Sequence, residues 1–308
     1  MIPEWLVPTI LTIITAATPL VFAAVGEAVA EKSGVLNLGV EGMMVIGAFA
    51  AFAVGVSSGS AILAILAGAA AGLLMALIFG VLTLYLMSNQ VATGLALTIF
   101  GLGLSALLGY GFVGKTFGGL PKLDIPGISE IPVIGPIFFG QDFLVYLSVA
   151  AVIGVNWFLF KTRSGMLVRA VGENHEAAHS IGYSVTLIRL GAVLFGGAMA
   201  GLGGAYLSIV YTPLWVENMT AGRGWIALAL VVFASWRPWR AFFGAYLFGG
   251  ITIIQLHAQG LGIDIASQFL SMLPYLATIV VLVLISRDTT KVQLSAPACL
   301  GKNFHASG

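Results

Sequence analysis

The chain has 308 residues, 59% of them apolar and 8% charged, with thirteen Lys and Arg against twelve Asp and Glu for a net charge of +1. A soluble domain carries about 25% charge, so this composition, with a mean hydropathy of +1.05, argues against a water-soluble enzyme, and the near-neutral balance against a nucleic-acid partner. A single cysteine, Cys299, rules out a disulfide framework and a Cys-rich metal site.

The predicted class is all-α: one polytopic helical membrane domain over residues 1–308, with about nine spans and a range of eight to ten. A helical span needs about 20 mostly apolar residues. The first lies near 5–25; it follows Glu4, lacks a basic start, and reads as a permanent span rather than a signal peptide. Next comes GEAVAEKSGVLNLGVEG (26–42). Glu27 and Glu31 are four apart and share a helix face, and Asn37 and Glu41 follow a break at 33–34. A Gly-interrupted stretch between apolar runs predicts a broken or re-entrant helix, tolerated at depth only where protein or water covers it. Asn37 and Glu41 are candidate linings of a solute path. The competing reading is an ordinary turn with Glu31 and Lys32 solvated.

From residue 42 to residue 114 there are 73 positions without Asp, Glu, Lys or Arg, which accommodates spans near 38–57, 61–86 and 92–113. Ser88, Asn89, Gln90 and Thr93 read as a helix-capping turn, with Asn89 also a candidate solute contact. The pairs Gly68/Gly72 and Gly197/Gly201 permit close helix approach, with partners unspecified. Residues 114–141 carry Pro121, Pro126, Pro132 and Pro136, and four missing donors break a helix repeatedly; this is predicted to be an external loop.

Further spans are expected near 142–160, 186–210, 223–236, 241–257 and 267–286. The loop 161–184 is the one long polar connection on the basic side, with a helix expected over 173–181 and Gly182 stopping it. Glu217 and Arg223 are placed to pair near the external mouth, with Glu217 a candidate path residue. His257 and Gln255 lie near the outer end of a span, where a lone His is ordinarily hydrogen-bonded structure. The tail 287–308 reads as extended. With nine spans, ten Lys and Arg fall on one side and three (Lys115, Lys122 and Arg223) on the other. The positive-inside rule makes the first side, and the C-terminus, cytoplasmic.

Two motifs point to enzymes. His175-Glu176-Ala177-Ala178-His179 fits H-E-x-x-H, in which two imidazoles on one helix face hold zinc and the Glu acts as general base. A third protein ligand is required, yet Glu217, His257 and Asp264 fall on the opposite side, and no metal site is expected. Residues 55–59 (GVSSG) fit G-x-S-x-G, but the nucleophile elbow needs a strand before the serine and this is a hairpin between apolar helices.

The loop has another reading. Glu176-Ala177-Ala178 followed by Gly182 resembles the EAA loop of ABC importer permeases, in the branch whose loop reads GEN…AA…G. SGVLNLGVEGMMVIGAF (33–49), AVGENHEAAHSIG (170–182), VENMTAGRGWIALALVVFASWRPWRA (216–241), GAYLFGG (244–250) and APACLGK (296–302) resemble, in order, the permeases of the branched-chain amino acid, simple-sugar and nucleoside importers, most of all the nucleoside (purine-type) branch. The resemblance covers about residues 15–302 and implies a type II-like ABC importer permease in the bacterial plasma membrane. It implies that Gly172, Glu173, Asn174, Glu176, Ala177, Ala178 and Gly182 form the helix that couples to the ATPase. It also implies a second permease chain, identical or different, an ATPase subunit with two nucleotide-binding halves, and an extracytoplasmic solute-binding protein. No cofactor is expected on this chain; ATP and Mg belong to the ATPase, and the chain is expected to have no ATPase site of its own. The rival readings are a gradient-driven secondary transporter, the zinc protease and a passive channel.

Overall fold

The computed structural model describes residues 5–123, 129, 131, 133–260 and 295–305, with single positions between 269 and 283. Its helices are α1 (Leu6–Lys32), α2 (Val40–Ser58), α3 (Ala61–Gly80, continued by a wider turn to Tyr85), α4 (Gln90–Gly109), α5 (Phe143–Lys161), α6 (Arg163–Glu173), α7 (His175–Ser180), α8 (Val185–Tyr206, continued to Tyr211), α9 (Arg223–Phe233) and α10 (Pro238–Gly260). Among the described residues there is no strand, only the isolated bridges Thr116↔Leu214 and Lys122↔Asp142. Among the described residues six helices are long and apolar enough to cross a membrane, and α10 has 23 residues.

Eight of the nine predicted spans coincide with helices. The ninth, 267–286, lies mostly outside the described residues, as do Asp264, Arg287, Asp288 and Lys291. Three features differ from the sequence-based expectations. Helix α1 runs to Lys32, with Glu31 and Lys32 buried at 1% and 8% exposure rather than solvated. The expected span 223–236 stops at Phe233, giving an 11-residue helix. At 1.5 Å per residue that is about 16 Å, half of a hydrocarbon core of about 30 Å. The proline-rich connection contains one helical turn, Gly135–Phe139.

Helices α1, α2, α3 and α8 form the densest packing, and glycine makes it possible. A Cβ on Gly72 would meet the backbone of Gly197 and Gly201, and one on Gly201 would meet Gly68 and Gly72. The two four-residue glycine pairs of the sequence are therefore each other's partners at the α3–α8 crossing. Gly47 of α2 closes on Gly201 from the other side, where a Cβ would stand 2.5 Å from the Gly201 Cα. Backbones meet directly, the arrangement that replaces the hydrophobic effect as the source of helix association in lipid. Gly72→Leu or Gly201→Leu is expected to cost at least about 1–3 kcal/mol by overpacking. Gly191→Ala on the same α8, where nothing stands within 4 Å, is expected to be neutral. Thermal unfolding of the detergent-purified chain, followed by circular dichroism, distinguishes the two.

Connections alternate between two ends of the bundle. At one end lie 33–39, 86–89, 162–184, the α9–α10 turn and the tail 295–305; at the other lie 113–123 and 212–214. The tail is not free. Cys299 N donates to Gly172 O (2.9 Å) and Gly301 N to Gly34 O (3.1 Å). Lys32 Nζ donates to Ser295 O (2.6 Å), and Asn303 Nδ2 to Met87 O (2.8 Å). Residues 295–305 thus strap α1, α4 and α6 together.

Candidate functional site

The break between α1 and α2 carries irregular backbone inward from the end of the bundle where 33–39 lies. Leu36 sits beside the first residue of α4, donating its N–H to Gln90 Oε1 (2.8 Å). Gly39 stands against Gly94, and Gly42 against Leu97, Thr98 and Gly101. Residues 36–42 therefore climb from the end of α4 to its middle. Buried backbone polar groups must find partners, and here polar side chains supply them. Asn37 N donates to Glu27 Oε1 (3.3 Å), Gly39 N to Asn37 Oδ1 (3.0 Å), Thr98 Oγ1 to Leu38 O (3.1 Å) and Arg189 Nε to Ser33 O (3.1 Å). Asn37 is wholly buried and Glu27 nearly so. Gly34, at φ +91°, makes the reversal that starts the climb.

Glu41 ends it. Its Oε1 accepts from Thr220 Oγ1 (2.5 Å) and Gly222 N (2.8 Å), and its Oε2 from Gly224 N (2.6 Å). The carboxylate thereby occupies the N-terminus of the half-helix α9, where unpaired N–H groups and the helix dipole favour negative charge. Gly224 permits the approach, since its Cβ would stand 2.6 Å from the Glu41 backbone. Two of the stretches that carry the family resemblance, 33–49 and 216–241, are thus one junction near mid-membrane.

Beside this junction is a cavity of about 170 Å³ lined by Tyr211, Ala221, Arg223, Phe248, Thr252 and Gln255 among others. Arg223 lies over the Tyr211 ring (5.3 Å) and donates to the carbonyls of Met219 (3.1 Å) and Thr220 (3.3 Å). Glu217 is exposed, so the expected Glu217–Arg223 pair is replaced by this carbonyl capping. Asn89 is likewise away from the cavity, capping α4 by accepting from Ala92 N (2.9 Å). Arg223 and Gln255 are lining residues that the sequence singles out, whereas Tyr211 and Thr252 are not; the polar spacing of Thr252 and Gln255, three apart in an apolar run, is the signal that points to Thr252.

The loop 162–184 forms two short helices rather than one over 173–181. Asn174 breaks them (φ −150°, ψ 95°) and caps α7, accepting from Ala177 N (2.9 Å). Gly182, at φ +94°, ends α7 as expected. Glu173, Asn174, Glu176, Ala177 and Gly182 are exposed, whereas Gly172 and Ala178 are buried. Gly172 is where α6 touches the end of α1: any Cβ there would strike Lys32 O.

Arg189 joins these parts. Fully buried at the start of α8, it donates to Ser33 O and to Lys302 O (2.9 Å), and its Nη2 lies 3.0 Å from His175 Nδ1. One guanidinium thus holds the α1–α2 break, the tail and α7. His175 and His179 both pack edge-on to Phe304, at 5.3 and 5.2 Å. With a guanidinium against its ring nitrogen, His175 is turned to a cation donor and not to a shared acidic ligand set. Among the described residues no cluster of three His, Cys, Asp or Glu could hold a metal ion.

Burial, and next to it the Arg189 charge, hold His175 below the usual histidine range. Below about pH 6.5 the unfolded loop binds a proton that the folded one refuses, so stability falls as pH drops. The contact is complete above that value and lost as pH falls through the folded value. Hydrogen-exchange protection at 172–182 and 295–305, with the intrinsic pH dependence of amide exchange divided out, is expected to fall on acidification to pH 5.5, and His175→Asn to flatten that dependence. Equal protection factors at both pH values in the parent chain would contradict the assignment.

Residues 109–116 (GYGFVGKT) also fit a motif, G-x-x-x-x-G-K-[ST], beyond the two considered above. A phosphate loop requires a strand before it and a helix N-terminus after it. Here a helix precedes it, Lys115 Nζ lies over the Phe112 ring (4.6 Å), and Thr116 bridges to Leu214. The geometry is that of a helix-to-loop exit. Residues 55–58 likewise lie inside α2.

A multi-pass helical chain with buried irregular backbone and a short exposed helix on a basic loop has the layout of a membrane transport subunit, and its family and relatives make it an ABC-transporter permease and not an enzyme. The chain belongs to the family described as branched-chain amino acid transport system / permease component, matched over residues 9–285. It is 39% identical to TsgC13 of Haloferax volcanii, by name a putative glucose ABC transporter permease protein, over 95% of each chain. It is 34% identical to the nucleoside ABC transporter permease protein NupC of Lactococcus lactis, over 87% of this chain and 89% of that one. It is 34% identical to the guanosine ABC transporter permease protein NupQ of Bacillus subtilis, over 89% and 92%. No solved structure matches.

Proposed function

We propose that this permease imports a nucleoside across the plasma membrane by alternating access, with its tail and the loop 161–184 in the cytoplasm. A separate ATPase subunit with two nucleotide-binding halves docks on α7, and a second permease chain completes the path. An extracytoplasmic binding protein delivers the solute. The observation that carries this reading is the mechanical continuity from exposed α7 through Arg189 to the non-helical segment 33–39, which ends on Glu41 beside the cavity. A motor that binds one conformation more tightly shifts the population toward it, and this chain of contacts gives that shift a route to the membrane centre.

Within the cavity Arg223 and Thr252 present polar groups and Tyr211 an aromatic ring, a combination suited to a ribose and base. At about 170 Å³ it is smaller than the roughly 300 Å³ of a typical ligand pocket, as fits a path whose other wall comes from the partner permease. Asn37 and Glu41 shape the floor of this path, and Asn89 and Glu217 its approaches. The likeness to TsgC13 favours a second cargo, a simple sugar. Uptake of labelled guanosine into proteoliposomes carrying the complete transporter, with excess unlabelled adenosine, uridine or glucose as competitors, tests both. Guanosine uptake competed by nucleosides and not by glucose is the expected result; no guanosine uptake, with ATP-dependent uptake of labelled glucose, selects the sugar. Uptake without ATP would overturn the ABC mechanism.

A further inference from the structure

We propose that Lys32, Arg169 and Arg237 form a binding site for the phosphate of an anionic phospholipid. They line a cavity of about 360 Å³ at the basic end of the bundle, together with Phe160, Met166, Glu173 and others. The three cations come from three separate elements: the last residue of α1, the amphipathic α6, and the α9–α10 turn. Bringing them to one cavity is costly unless an anion joins them. Glu173 lines the same cavity and offsets one of the three cations, leaving two positive charges, and Glu31 behind it is committed to the Trp236 indole, whose Nε1 donates to Glu31 Oε2 (2.5 Å).

The donors point to a ligand. Arg169 Nε is buried and has no hydrogen-bond partner, a rare state that calls for a group to meet it. Arg169 is oriented by the Phe160 ring, 5.2 Å away. Lys32 Nζ, 8% exposed as a residue, gives one of its three donors to Ser295 O. Ser235 and Trp236 hold left-handed backbone (φ +51° and +55°), and this strained turn carries Arg237 to the cavity.

The rim chooses the source of the phosphate. Phe160 and Met166 are 37% and 54% exposed beside the cations. Trp239, 39% exposed, and Arg240 follow Arg237 at the start of α10. Exposed apolar side chains edging a basic pocket, with Trp close by, describe a headgroup-level site rather than an aqueous one. A free phosphate would use the cations and leave the apolar rim in water; a lipid uses both.

The test measures binding of fluorescent phosphatidylglycerol and phosphatidylcholine to the full chain in neutral detergent. Phosphatidylglycerol is expected to bind more tightly. Arg169→Gln and Arg237→Gln should each weaken it about fivefold, with phosphatidylcholine unchanged; Arg237 is exposed, so that variant keeps its fold. Millimolar inorganic phosphate should not displace the lipid. Equal binding of the two lipids, or phosphatidylglycerol binding unmoved in both variants, would overturn the proposal. So would displacement by inorganic phosphate, which would make the site one for a soluble anion. Loss of the ATPase subunit on co-purification of the variants, with lipid selectivity intact, would identify a protein-docking face and also refute it.

Discussion

Arg189→Gln is expected to lower ATP-driven uptake by the assembled transporter at least tenfold while the chain still inserts and still captures its ATPase subunit. The arginine is fully buried, and its three contacts lie on three segments whose other links are short backbone bonds and ring contacts with Phe304. Glutamine is too short to reach Ser33 O and Lys302 O together. Each buried acceptor left without a donor costs about 1–3 kcal/mol, and tenfold corresponds to about 1.4 kcal/mol. The loss should therefore be local: faster hydrogen exchange at 33–39, 172–182 and 295–305, with α3 and the far part of α8 unchanged. Arg189→Lys should fail almost as badly, because a point charge cannot serve acceptors diverging from a planar fork. ATP hydrolysis is expected to persist without solute movement. Wild-type uptake in either variant would show that α7 does not reach the membrane centre by this route.

Glu41→Gln is the second large effect, and it is severe despite equal size. Both carboxylate oxygens accept, Oε1 from two donors and Oε2 from one. An amide has a single acceptor oxygen, so its NH2 must face a backbone N–H in either orientation. Loss of the charge also removes the anion from the first turn of α9, worth up to about 2 kcal/mol in partly buried geometry. The expected sum is destabilisation of about 2–4 kcal/mol concentrated on α9, read as a lower melting temperature and early exposure of α9 to exchange. Glu41→Ala should be worse, leaving three donors and a void. Gly224→Ala should mimic both from the opposite side by forcing α9 off Glu41. A Glu41→Gln chain as stable as the parent would mean that the junction does not hold α9 in place.

Much of this architecture is legible in the residues, because hydropathy and charge report directly on which segments enter a bilayer. The expense of Glu27, Asn37 and Glu41 in an apolar chain marks the break without any knowledge of the fold. Their roles are less readable. Asn37 and Glu27 partner irregular backbone, and the need for such partners follows from a path that local sequence does not encode. Glu41 answers Thr220, Gly222 and Gly224, far along the chain, so no periodicity links them. The α9 boundary is hidden because apolar residues continue past Phe233, whereas the helix ends where Ser235 and Trp236 turn left-handed to seat the indole on Glu31. The glycine pairs announce close approach without naming a partner. The tail reads as an extended end by composition, yet its hydrogen bonds go to four helices, α1, α4, α6 and α8. A single helix over 173–181 is the natural expectation because good helix formers on both sides conceal the Asn174 kink.

The half-length of α9 has a consequence for how the protein is made. A ribosome-bound translocon releases apolar rods sideways into lipid one after another, each with its own hydrogen bonds already closed. The 212–224 stretch is not such a rod: the amides of Gly222 and Gly224 would meet bare hydrocarbon unless an acceptor were waiting. That acceptor lies upstream, on a helix synthesised some 180 residues earlier. Order of synthesis thereby supplies a chaperone from within, and a circularly permuted gene that emits α9 before α2 should yield a product cleared by membrane quality control.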